Sequence, residues 1–201
     1  MPTTYSARLL ALAKRQGVIT AGEAARAGIH SQHLTRLVAD GVLELIARGH
    51  YRLASRPITE HHGLIVAARA VPHGVICLLS ALTFHRIGTQ LPAEVWIAIE
   101  RRAREPALQA PPLRVVRFSG AAFTEGIETH RVDGEAVRVY SVAKTLADLF
   151  KHRNKIGLDV AIEALREAWR DRKFTMEALD RAARACRVAR VMNPYVEAVV
   201  A

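Results

Sequence analysis

The sequence predicts an α+β protein: an N-terminal winged helix-turn-helix, then a mixed α/β domain with a small sheet and a C-terminal helical bundle. Three observations predict it. Short helical segments with cap signals alternate with glycine turns early in the chain. An Asp-Gly dipeptide stands between two alternating segments in "IETHRVDGEAVRVYS". From Ser141 onward the chain reads as successive amphipathic helices. Its 201 residues suffice for one ordinary domain or two small ones, and the boundary falls at residues 1–56 and 57–201.

Thr4 to Gln16 places Leu9, Leu10, Leu12 and Ala13 on one helical face, with Gly17 as a stop. "VIT" follows as a short strand. Thr20 to Glu23, "TAGE", has the spacing of a capping box, in which the hydroxyl caps one end and the carboxylate reaches back. The helix it opens ends at Gly28. Ser31 then caps a second short helix that buries Leu34, Leu37 and Val38 and stops at Gly41. Two short helices about a tight turn make a helix-turn-helix. "VLELIARGHYRLA" adds a two-stranded wing, with Tyr51 and Leu53 inward and Arg48, His50 and Arg52 outward.

The second helix carries Ser31, Gln32, His33, Thr35 and Arg36 instead of the Glu and Lys pairs of an ordinary solvated helix. Such side chains suit base edges in the major groove: Gln fits adenine, Arg fits guanine, and Ser or Thr serves either. The wing's Arg and His side chains suit backbone phosphates. Net charge is +10, and residues 1–56 hold eight Lys or Arg against three acids, whereas the rest hold twenty-one against sixteen. The denser positive charge of the first segment favours an anionic partner, of which nucleic acid is the commonest. The alternative is a winged helix that serves as an interaction module for a protein or RNA.

"SRPI", Ser55 to Ile58, reads as a linker. Beyond it come helices over His62–Ala70 and "ICLLSALTFHRIG", strands over "EVWIAIE" and "LRVVRFS", and the type I′ hairpin about Asp133-Gly134. Helices follow over Ser141–Lys151, Leu158–Asp171 and Thr175–Cys186, with another near Asn193–Val200. Arg101, Arg102 and Arg104 form a cationic cluster, joined by Arg114 and Arg117, that offers a second anionic contact.

No catalytic constellation stands out. Phosphate-cradling glycine motifs and the nucleophile elbow are absent. Glu94 and Glu100 flank "VWIAI" as solvated strand ends, and Glu100 is followed by Arg101-Arg102 instead of the lysine that a restriction-type nuclease needs. Ser80, His85 and Asp148 supply the residue types of a triad without evidence of its geometry. The spacing of the nine histidines predicts no metal, and no cofactor is expected. Cys77 and Cys186 read as buried, reduced thiols of a cytoplasmic protein. No membrane partner is expected: the first residues lack the pattern of a signal peptide, and no apolar run is long enough to span a bilayer.

The segments "TAGEAARAGIHSQHLTRLVADGVLELIARGHYRL", "LLSALTFHRIGTQLPAEVWIAIE", "LRVVRFS", "GIETHRVDGEAVRVYSVAKTLADLF" and "GLDVAIEALREAWR" together resemble the AbiEi-type antitoxins of type IV toxin–antitoxin systems. The resemblance implies a winged helix that binds double-stranded DNA and represses the protein's own operon, through an operator that is an inverted repeat. It also implies a C-terminal domain that counters a nucleotidyltransferase-like toxin without requiring a direct complex. By motif position it places Ser31, Gln32, His33, Thr35, Arg36, Arg48 and Arg52 on DNA, and it implies a regulator, not an enzyme.

Overall fold

A computed structural model describes residues 4–16, 18–47, 49–55, 60–106, 108 and 110–200. Among them the chain opens with α1 (Thr4–Gln16), β1 (Val18–Thr20), α2 (Ala21–Arg26), α3 (Ser31–Ala39), β2 (Leu43–Ala47) and β3 (His50–Leu53). This is the element order expected of a winged helix-turn-helix. The three strands form one antiparallel sheet in the order β1-β3-β2. Leu9 and Ala13 of α1, Ile19, Ala24, Ile29, Leu34, Leu37, Leu43 and Leu53 make its core, with Leu10, Leu12 and Val38 packed against it. The apolar periodicity of α1 and α3 thus buries the faces that it predicts.

Thr20 closes the capping box: its Oγ1 accepts from the Glu23 N–H at 3.1 Å, and Glu23 Oε2 accepts from the Thr20 N–H at 2.7 Å. The cap of α3 is one residue earlier than expected. His30 has the extended backbone of an N-cap, and its Nδ1 accepts from the Gln32 N–H at 3.3 Å, so Ser31 is already helical. An imidazole nitrogen stands in for the oxygen that the sequence rule looks for.

The second part contains α4 (His62–Ala70), β4 (Val75–Ile76), α5 (Leu78–His85), β5 (Val95–Glu100), β6 (Leu113–Phe118), α6 (Ala121–Thr124), β7 (Ile127–Val132), β8 (Glu135–Tyr140), α7 (Val142–Lys151), α8 (Arg153–Ile156), α9 (Leu158–Arg170), α10 (Met176–Ala185) and α11 (Ala189–Val200). Its strands form a five-stranded mixed sheet, β6-β5-β4-β8-β7. β5 runs parallel to β6, β4 runs parallel to β8, and the other pairs are antiparallel. The hairpin turn has φ of 51° at Asp133 and 89° at Gly134, the two positive angles of a type I′ turn.

Both faces of this sheet are covered, which is why "VWIAI" reads as a nearly continuous apolar run. Val75, Ala98 and Tyr140 face a helical layer that includes Leu82, Leu146, Phe150, Leu165 and Leu179. Ile76, Val95, Ile97, Val137 and Val139 face Leu64, Ile65 and Ala67 of α4, and Val18 of β1 joins that cluster with Ile46 packed against it. The N-terminal module therefore rests on the second part of the chain through α4 and the β7–β8 hairpin. The linker expected at Ser55–Ile58 lies largely outside the described residues.

Two boundaries differ from the sequence expectation. "ICLLSALTFHRIG" is not all helix: Ile76 belongs to the central strand β4, and Cys77 is the N-cap of α5. A two-residue strand in an apolar stretch has no periodicity of its own. α11 starts at Ala189, four residues before Asn193, and carries Pro194 within it, where the proline marks no end.

Candidate nucleic-acid interface

α3 is held by Leu34 and Leu37, which are buried, while Ser31, Gln32, Thr35, Arg36 and Ala39 are exposed on the opposite side. Those spacings of three and four place the exposed side chains on one face. Thr35 Oγ1 donates to the Ser31 carbonyl at 3.4 Å. Arg36 is 80% exposed, and its Nε lies 3.9 Å from Asp40, a loose pair that leaves the guanidinium available. His33 is half-buried beside this face. The helix thus brings together Ser31, Gln32, Thr35 and Arg36 as a surface of donors and acceptors, with His33 at its margin.

The wing departs from expectation. Arg52 does not point into solvent: it is 7% exposed, and its Nη2 pairs with Glu44 of β2. Strand alternation explains this. Arg52 lies opposite Val18 and Glu44 in the sheet, and His50 lies opposite Thr20, so both residues occupy the face that carries Val18. That face is packed on the second part of the chain, where His62 senses the Arg52 charge. Burial, aided by Arg52, holds the His62 imidazole below its ordinary pKa. Arg52 is therefore buried at the joint, and its burial does not fit the outward DNA contact expected of it. His50 is half-buried on the same face. Arg48 lies outside the described residues.

Arg101, Arg102 and Arg104 are all exposed in the turn after β5. The turn is braced from within. Glu100 accepts from the Arg102 N–H at 2.7 Å, and Arg117 Nη1 donates to the carbonyls of Arg101 and Ala103 at 3.0 and 2.8 Å. Arg117 joins the cluster as a brace. Arg114 does not join it: it lies opposite Trp96 on β5, its guanidinium 5.4 Å from the Trp96 ring centroid and 3.6 Å from Glu94. Glu94 and Glu100 thus stand at the two ends of β5 with separate cationic or amide partners.

Ser80, His85 and Asp148 do not converge. Ser80 Oγ accepts from the Trp96 N–H at 2.9 Å, His85 Nε2 bonds the Tyr140 carbonyl at 2.7 Å, and Asp148 accepts from Lys144 and from the Cys186 thiol. Among the described residues, no group of His, Cys, Asp and Glu is arranged to hold a metal ion, and no helix is long and apolar enough to cross a membrane.

The buried network on α7 is the feature that sequence reasoning missed. Lys144 and Asp148 have no exposed surface, and Lys144 Nζ lies 4.0 and 4.6 Å from the ring centroids of Tyr140 and Phe118. Burial holds the Asp148 carboxyl above its ordinary value against the pull of Lys144. Burial and the Asp148 charge push the Cys186 thiol up to about 12. The only signal in the sequence was a Lys and an Asp four apart in an otherwise apolar helix, a spacing that more often marks an exposed pair.

Comparison with known proteins bears on both parts. No curated protein matches the chain. The crystal structure of the RV2827C protein from Mycobacterium tuberculosis is similar over 99% of this chain and 81% of that one, with a TM-score of 0.67 and 14% identity. That likeness shows a shared α+β fold across both parts. The family model described as "Transcriptional regulator, AbiEi antitoxin" matches residues 7–54, the segment from α1 to the end of the wing. Over those residues the chain thus matches the AbiEi antitoxin family of transcriptional regulators, the family that its sequence resembles.

Proposed function

We propose that this protein is a cytoplasmic antitoxin and DNA-binding autorepressor of a type IV toxin–antitoxin operon. Residues 1–56 act as a winged helix-turn-helix, and residues 57–201 counter a nucleotidyltransferase-like toxin. The observation that carries the DNA-binding half is the exposed face of α3, the second helix of the helix-turn-helix, where Gln32, Thr35 and Arg36 stand together within a segment that matches a family of antitoxin regulators. Ser31 and His33 flank that face, His50 of β3 lies behind it, half-buried, and Arg48, outside the described residues, is kept as a proposed phosphate contact by its place in the sequence. The exposed turn of Arg101, Arg102 and Arg104 supplies a second contact with phosphates. Double-stranded DNA, an inverted repeat upstream of the protein's own gene, is the partner. The toxin is opposed without a required complex, and no cofactor or catalysis is involved.

The test is a gel shift on the DNA upstream of the gene, beside co-expression with the neighbouring reading frame. Binding of that DNA with steep salt dependence, together with rescue from a toxic neighbour, supports the proposal. Absence of binding to any duplex, with capture of RNA or a protein instead, supports the interaction-module alternative.

A further inference from the structure

The joint between the two parts of the chain is built around one guanidinium. Arg69, on α4, donates from Nε and Nη2 to the two oxygens of Glu135 on β8, at 3.0 and 2.7 Å, and from Nη1 to Glu23 Oε2 on α2 at 2.8 Å. The three side chains are 14%, 13% and 22% exposed, so water screens them little. Burial opposes the charge of Arg69, and the bonds to Glu135 and Glu23 outweigh it, raising the guanidinium pKa further. The fork-to-fork pair with Glu135 fixes the plane of the guanidinium. That plane aims Nη1 at Glu23.

Glu23 is not a passive acceptor. The oxygen that meets Arg69 also accepts from the Thr20 N–H and Oγ1. The group that caps α2 is thus the group that ties α2 to the second part of the chain. Val18 and Ile46 form the apolar half of the same joint. None of the exposed α3 residues takes part, so docking leaves the DNA-facing surface open.

We propose that Arg69 is a positioning residue for DNA binding: by bonding Glu23 and Glu135 at once it fixes the α2–α3 pair on the second domain, so that the whole chain meets DNA as one rigid body. The proposal rests on the DNA-binding function argued above. A duplex bound by one preorganised body repays a smaller ordering cost than one bound by two bodies that reorient. When only a fraction of molecules is docked, apparent affinity falls by that fraction.

The test uses the intact chain and a fluorescent duplex carrying the sequence upstream of its gene. A joint that is docked one-tenth of the time gives roughly tenfold weaker binding for Arg69→Met. Glu135→Gln gives a smaller loss in the same direction, and Arg69→Lys falls between Arg69→Met and the parent, because an ammonium cannot hold both carboxylates in fixed planes. The loss is the same on a scrambled duplex, since orientation reads no bases. Spin labels on Ala39→Cys and Arg166→Cys, both exposed sites, report the joint directly: one narrow distance in the parent and a broad distribution with Arg69→Met. If the parent binds and all three variants bind as tightly with a narrow distance, the positioning role is overturned and DNA binding stands. If the parent binds no duplex, the DNA-binding function itself is overturned, and the role of Arg69 falls with it.

Discussion

Lys144 and Asp148 form an ion pair one helical turn apart in α7, with neither side chain reaching solvent. The Lys144 ammonium is held by a carboxylate and two aromatic faces, and the second Asp148 oxygen accepts from the Cys186 thiol at 3.2 Å. A buried pair of this kind adds little net stability, because desolvation offsets attraction, but each partner becomes costly without the other. Lys144→Met alone is expected to destabilise the chain by about 3–5 kcal/mol. Lys144→Met with Asp148→Leu is expected to recover most of that loss. Urea unfolding of the three proteins checks this; a double variant as unstable as the single one would mean that packing, not charge, dominates.

Arg36 is the clearest test of base reading. Its side chain is exposed and packs into no core, so Arg36→Ala should leave stability within about 0.5 kcal/mol. On the upstream duplex it should cost roughly 1–3 kcal/mol and relax discrimination at one base pair. Competition among duplexes with single base-pair changes measures this. A uniform loss across all of them would assign Arg36 to phosphate instead.

Much of the fold was legible where its signals are local. The capping box needs only Thr20 and Glu23, the type I′ turn only Asp133 and Gly134, and the cores of α1 and α3 only a helical period. Arg52 was not legible. Alternation correctly separates Arg52 from Tyr51 but cannot say which face meets water, and here the later part of the chain covers the face that carries Arg52. The Arg69 bridge joins residues 46 and 66 positions apart, and no pattern within a window encodes such a meeting. β4 was hidden because two residues are too few to show a period.

Acid should loosen the joint through Glu23. Burial alone would raise its pKa, but the bonds from Thr20 and Arg69 outweigh burial and hold it below 4.5. A carboxylate with a depressed folded pKa contributes stability that is fully present above its unfolded value and is lost as pH falls through the folded one. Thermal unfolding followed downward from about pH 6 should therefore fall less steeply below 4.5 in Glu23→Gln than in the parent. Identical acid limbs would show that Glu23 is not held by these partners in solution.

The hairpin turn links the sheet to the joint. A β-branched residue at Gly134, where φ is 89°, should strain the turn by roughly 1–2 kcal/mol. Glu135 follows at once and holds Arg69, and Val132 before it packs in the cluster that contains Val18. Gly134→Val is therefore expected to weaken both of the proposed activities, DNA binding and protection against a toxin. A gel shift paired with co-expression checks both; loss of protection with full DNA affinity would show that the strain stays within the hairpin.

The last prediction concerns the turn of Arg101, Arg102 and Arg104. Their guanidiniums are exposed, and among the described residues none is in an ion pair, while Arg117 bonds the backbone beneath them. A braced turn presents its charges without first having to order itself. Each phosphate that a cation neutralises adds about 0.9 to the slope of log affinity against log salt. If the turn meets the DNA backbone, replacing all three arginines with alanine should flatten that slope by up to about 2.7 and weaken upstream and scrambled duplexes alike. Stability should change little, since the side chains touch no core. An unchanged slope would remove the turn from the DNA interface. Toxin co-expression then decides its role: a variant that binds DNA normally but no longer protects would assign the arginines to the proposed antitoxin function.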